Sequence, residues 1–174
     1  KDLAYYRELY DTNREAKIDS LRELRPKYKT KSGRTVYGGG GITPDIYVPY
    51  NKSFNGETEK VLRNPKRPIF NFVSEYASNH KNEFPSFTKF KDSWLLPLKD
   101  FHEFLEFLDK DSIQVNQDSL KLDVQFLSNR IKGEIAGAVW GKDEAANIRL
   151  QVDNQIIEAL KHFNAADAFL NSLN

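Results

Sequence analysis

The sequence predicts a mainly helical α+β chain, with a small β-hairpin and strand element at the front followed by a compact C-terminal helical domain. Three observations carry that prediction. Five of the nine glycines fall between Gly33 and Gly41, four of them consecutive, so the front must turn sharply between short extended segments. From Ile69 to Asn174 glycine recurs only at Gly133, Gly137 and Gly141, and the last proline is Pro97. Within that stretch apolar residues recur at three- and four-residue spacing, the period of a helix with one buried face.

Residues 1–25 read as a helical arm. Ile18, Leu21 and Leu24 form an imperfect stripe, and Pro26 ends it. Residues 26–49 read as the β element. Tyr28 and Thr30 lead into a turn at Lys31-Ser32-Gly33, and Thr35-Val36-Tyr37 returns with β-favouring side chains. After the glycine run, Pro44 pushes Thr43 toward the extended region, which sets up a third strand at Asp45–Val48. Residues 50–67 read as a linker, because Asn51, Asn55-Gly56 and Asn64-Pro65 are turn or breaker signals.

Residues 68–174 read as the helical domain. Phe70, Val73 and Ala77 begin one helix, which ends near Asn79-His80. Phe101, Phe104, Leu105 and Leu108 form a strong stripe. Leu120, Val124, Leu127, Ile131 and Ile135 share a face of one long helix, with Asn116 or Asp118 as its cap. Ile156, Leu160 and Phe163 repeat the pattern, with Asp153 as the N-cap. Glycine costs about 1 kcal/mol against alanine inside a helix. Three of them at four-residue spacing, Gly133, Gly137 and Gly141, therefore predict close approach of another element, with a subunit contact as the alternative.

Composition removes several classes of function. Lys and Arg number 26 against 25 Asp and Glu, which speaks against a nucleic-acid-binding domain. No cysteine occurs, so disulfides, thiolate zinc sites and a thiol nucleophile are excluded from this chain. No apolar run approaches the roughly 20 residues that span a bilayer. The chain opens on Lys1-Asp2-Leu3 and contains no methionine, and it reads as part of something longer with any targeting signal upstream.

The candidate chemical motifs each have a plainer reading. Glu158 and His162 stand at i, i+4 and read as a helix-surface pair, since two ligands do not close a metal site. His80 and His102 join no metal-ligand pattern. The glycine run leads into a strand and not into Gly-Lys-Ser/Thr and a helix, so it is no phosphate loop. Ser86-Phe87-Thr88-Lys89 spells S-x-x-K, but Lys31-Ser32-Gly33 precedes it, the reverse of the order in penicillin-binding enzymes. Lys27-Tyr28-Lys29-Thr30-Lys31 reads as a charged hairpin edge rather than an RNA contact. Trp94 and Trp140 read as core groups near helix ends, unless an exposed patch at Trp94 marks an interface.

The block from Lys27 to Pro49 resembles the segment that closes the catalytic region of the C-terminal processing (tail-specific) serine peptidases, in particular their Bacteroidetes-type members. The resemblance rests on Ser32-Gly33-Arg34, on Gly41-Ile42-Thr43-Pro44-Asp45-Ile46-Tyr47-Val48, and on the extended form from Gly33 to Ile42. Later phrases are similar to the helical tail of that family: Glu83–Phe87, Ile131–Gly141 and Asp153–Leu160. The resemblance implies a serine nucleophile and a lysine base held neutral by burial, both lying ahead of the Gly-Ile-x-Pro-Asp segment, as does a PDZ module for the substrate's C-terminus. None of that sequence is present, and no catalytic residue carries over: Ser20, Ser32 and Ser86 do not fill the gap.

The resulting expectation is a non-catalytic C-terminal domain of a tail-specific serine endopeptidase. Its partners would be its own peptidase core, substrate tails reached through that core, and a second copy through self-association. No nucleic acid, cofactor or metal is expected. By the resemblance alone its place is the periplasm or cell envelope. The rival expectation is a stand-alone helical interaction module unrelated to proteolysis.

Overall fold

The computed structural model describes residues 24–31, 33–38, 46–49, 53–80, 83–84 and 86–171. The expected arm over residues 1–25 lies almost wholly outside the described residues, as do Ser32 and the segment 39–45. The fold is mainly helical with a small antiparallel sheet at the front. Two strands, β1 (Lys27–Lys29) and β2 (Thr35–Tyr37), pair in the register Lys27↔Tyr37, Tyr28↔Val36, Lys29↔Thr35. The expected third strand is not formed over the described part of its span, residues 46–48. The Val48 and Pro49 carbonyls instead accept from the Gln155 and Asn154 side-chain amides, at 2.9 and 3.1 Å.

The chain divides into two units, residues 1–51 with 154–174, and residues 52–153. The division differs from the expected boundaries at both ends of the helical region. Residues 56–62, read as linker, are helix α1 (Gly56–Leu62). Asn55, read as a turn residue, is its N-cap, accepting from the Glu57 and Thr58 N–H groups at 2.9 and 3.1 Å. The Asn55 amide also donates to the Ser119 carbonyl at 2.7 Å, and the Asn55 N–H donates to Asp123 Oδ2 at 2.7 Å.

The second unit continues with α2 (Pro68–His80), α3 (Phe87–Ser93), α4 (Leu98–Lys110), α5 (Gln117–Leu122), α6 (Val124–Val139) and α7 (Lys142–Leu150). Pro68 opens α2, where its missing N–H costs nothing. The buried face of α2 is Ile69, Phe72, Val73, Tyr76 and Ala77; Val73 and Ala77 of the expected stripe are buried, but Phe70 is exposed and Ile69 takes the inward place. All four residues of the α4 stripe are buried. The long helix expected from Leu120 to Ile135 is broken at Asp123, whose carboxylate is held by Asn55. The stripe survives the break, since Leu120, Leu127, Ile131 and Ile135 are fully buried. Asn116 caps α5 by accepting from the Ser119 N–H at 2.9 Å.

Helices α6 and α7 form an antiparallel hairpin. A Cβ on Gly137 would lie 3.3 Å from Ala145 Cβ, while one on Gly133 would lie 3.4 Å from Arg149 Cγ, so the two helices run in opposite senses. Close packing is thus intramolecular at these two glycines. Gly141 departs from the expected pattern: it stands between the helices, at φ 126 and ψ 179, a backbone region that only glycine occupies readily. In the first unit, α8 (Asn154–Lys161) and α9 (Phe163–Asn171) meet at His162. Ile156, Leu160 and Phe163 are 38%, 62% and 65% exposed, so this stripe is not a core face.

Candidate functional site

The hairpin carries most of the described part of the family-like segment Lys27–Pro49. Its turn is closed by Thr30 N–H donating to the Arg34 carbonyl and Gly33 N–H donating to the Thr30 carbonyl, both at 2.9 Å. Gly33 sits at φ 80, which a Cβ would resist. The Arg34 N–H also donates to Thr30 Oγ1 at 3.1 Å, and Lys29 Nζ donates to Thr35 Oγ1 at 2.7 Å. Gly38 lets the Tyr28 ring lie across the backbone, since a Cβ there would come within 2.7 Å of Tyr28 Cε2. All three β1 residues are exposed. A two-stranded hairpin of this size is marginal in water by itself.

The other sequence candidates resolve into structural roles. Ser86 is the N-cap of α3, with Oγ accepting from the Lys89 N–H at 3.4 Å, so the S-x-x-K spacing here makes a helix start. Glu158 and His162 do meet, at 3.3 Å, but Lys161 holds the other carboxylate oxygen at 2.6 Å. That lysine, ahead of the histidine, keeps the half-buried Glu158 carboxyl below its ordinary range. His80 stacks on Tyr76 with ring centroids 4.0 Å apart, and His102 is exposed. Among the described residues no group of three His, Asp or Glu side chains is placed to hold a metal ion.

Trp94 and Trp140 join Phe84, Phe87 and Phe90 in one aromatic cluster, with Trp140 5.0 Å from Phe90 and Trp94 4.7 Å from it. Lys132 secures this corner. Its ammonium donates to the Lys91 and Trp94 carbonyls, both at 2.8 Å, and lies 5.6 Å from the centre of the Phe90 ring. It thus satisfies carbonyls at the end of α3. Loss of hydration lowers its pKa, against the pull of Asp92. Next to this cluster Leu95 and Leu98 are 80% and 71% exposed.

A cleft of 360 Å³ opens between α2 and α4, floored by Phe72, Tyr76 and Phe107 with Glu75 and Glu106 among its lining. Sequence spacing gives no sign of the buried bond beneath it, Tyr76 hydroxyl to Asp100 Oδ2 at 2.5 Å, because the partners are 24 residues apart. Burial, then this bond, drives the Tyr76 hydroxyl pKa upward. A phenol fixed to a buried carboxylate is a structural clamp, not a base or nucleophile at neutral pH.

Against known proteins, residues 60–141 match a family of unknown function (DUF8443). The match covers a little under half of the chain and falls within the second unit. No curated protein and no solved structure matches the chain.

Proposed function

We propose that this chain is the C-terminal, non-catalytic part of a tail-specific serine endopeptidase of the cell envelope. The hairpin completes or abuts the peptidase core, and the helical unit braces that core or shapes access to its cleft. The observation that carries this reading is the family-like segment Gly33–Val48, whose described front half forms a turn built on Gly33 and the half-buried strand Thr35–Tyr37, paired with the exposed strand Lys27–Lys29. A sheet this small gains stability from a larger one beside it. Among the described residues, Ser86 caps a helix, His80 contacts the Tyr76 carbonyl and His162 contacts Glu158.

The test is cleavage of an unstructured C-terminal tail. The natural reading frame that carries these residues, expressed whole, should cleave it, and the 174-residue chain should not. Cleavage by the 174-residue chain, abolished by a serine substitution within it, would overturn the proposal. The rival reading, a helical interaction module, draws on the family match, which falls in the helical unit and leaves the hairpin out. It predicts that residues 52–153 retain their binding partner when the hairpin is deleted.

A further inference from the structure

From Leu24 to Thr43 the sequence holds five basic residues, Arg25, Lys27, Lys29, Lys31 and Arg34, and no acidic one, although the whole chain carries only +1. The hairpin gathers three of these charges along β1 and its turn. Gly38 N–H donates to the Pro26 carbonyl at 2.8 Å and Thr30 N–H to the Arg34 carbonyl at 2.9 Å, which with the pairing register turns the polar groups of Pro26, Tyr28 and Thr30 toward β2. The N–H and C=O groups of Lys27 and Lys29 therefore point to the opposite edge, where a further strand would bond. Their side chains share one face of the hairpin, and Tyr28, 59% exposed, stands on the other. Lys29 Nζ meets the neutral Thr35 hydroxyl at 2.7 Å, and among the described residues no carboxylate lies against Lys29 or Lys31.

We propose that the β1 edge pairs with an extended protein segment in which acidic and apolar residues alternate. Residues directly opposite one another in a sheet lie on the same face. Carboxylates opposite Lys27 and Lys29 would thus meet both ammonium groups, and an apolar residue between them would meet Tyr28. Lysines on an open edge bar pairing with most strands. They attract only a strand of opposite charge, so the guard on this edge is also its selector. A nucleic acid would answer the lysines but not the backbone groups between them. The proposal rests on the reading above that the hairpin belongs to a larger sheet, and it names the chemistry of the strand beside β1.

The test titrates the 174-residue chain with acetyl-Glu-Val-Glu-Val-Glu-amide and follows backbone amides by two-dimensional NMR. The peptide should shift Lys27, Tyr28 and Lys29 with a Kd on the order of millimolar, and lose about threefold or more in affinity between about 50 and 500 mM NaCl. The same peptide N-methylated at its glutamates keeps the charge but cannot bond the edge, and should bind at least about tenfold more weakly. Acetyl-Lys-Val-Lys-Val-Lys-amide should not bind. In the whole natural reading frame, the double variant Lys27→Glu, Lys29→Glu should speed hydrogen exchange at residues 27–37 at least about tenfold in low salt and recover part of that protection in about 0.5 M NaCl, while Lys27→Arg, Lys29→Arg should match the unaltered protein. Equal binding of the N-methylated or the basic peptide, tighter binding of oligouridylate than of the acidic peptide, no shift up to about 20 mM peptide, or unchanged exchange in the glutamate variant would each overturn the proposal. Tail cleavage by the whole protein alongside any of these results would sink the acidic strand and leave the peptidase reading standing.

Discussion

Alanine substitutions along the α6–α7 hairpin should separate three glycines that look equivalent in the sequence. Gly141 holds φ 126 and ψ 179, in the region essentially reserved for glycine. An alanine there stores about 1–3 kcal/mol of backbone strain. Its Cβ would meet only Glu144 Oε2, at 3.4 Å, a movable atom, so sterics add little. If the backbone relaxed instead, α7 would swing from α6 and expose Ile148, which is fully buried, at a cost of about 1.5–3 kcal/mol. Either route destabilises by a similar amount. At roughly 2–4 °C per kcal/mol, Gly141→Ala should lower Tm by about 2–12 °C. Gly133→Ala should act in the opposite sense. Its Cβ makes an ordinary 3.4 Å contact with Arg149 Cγ, and helix propensity favours alanine by up to about 1 kcal/mol. Gly137→Ala should fall between them, because 3.3 Å to Ala145 Cβ is tight and both atoms are tied to backbone. Urea and thermal unfolding followed by the fluorescence of Trp94 and Trp140 would read the series. A neutral or stabilising Gly141→Ala would refute the reasoning, as would a Gly133→Ala more harmful than Gly141→Ala.

Other variants test separate parts of the helical unit. Ser112 ends α4 at φ 55, with the Ile113 N–H donating to the Leu108 carbonyl at 2.9 Å, a turn that favours glycine. Ser112→Gly should raise stability by up to about 1 kcal/mol in urea unfolding. Lys132→Met strips the Lys91 and Trp94 carbonyls of their shared donor and should cost about 1–2 kcal/mol, with a change in near-UV circular dichroism from the displaced Trp94. Glu57 accepts from Lys60 and from the Asn116 N–H, and these bonds hold its carboxyl below the ordinary 4.5. Its contribution is therefore present above about pH 4.5 and lost as pH falls through the lower folded value. The urea midpoint should drop between about pH 6 and pH 3.5, and Glu57→Gln should make that drop smaller.

Much of the helical unit was legible from periodicity. The α4 stripe, the buried set Leu120, Leu127, Ile131 and Ile135, and the Asn116 cap all stand where spacing places them. Illegible features depend on partners distant in sequence. Asn55-Gly56 has the composition of a turn, and only the Ser119 carbonyl and Asp123 carboxylate reveal it as the anchored start of α1. The same Asp123 contact splits a stripe that runs unbroken in sequence. Phe70 fits a helical period with Val73 and Ala77, yet it lies against Arg67 at the surface while Ile69 turns inward.

The claim that the hairpin belongs to a larger sheet is tested most directly by hydrogen exchange at residues 27–37. In the 174-residue chain these amides should exchange much faster than those of α4 and α6, and in the whole protein they should become protected to a level near that of the helices. Equal protection of the hairpin in both forms would contradict the claim.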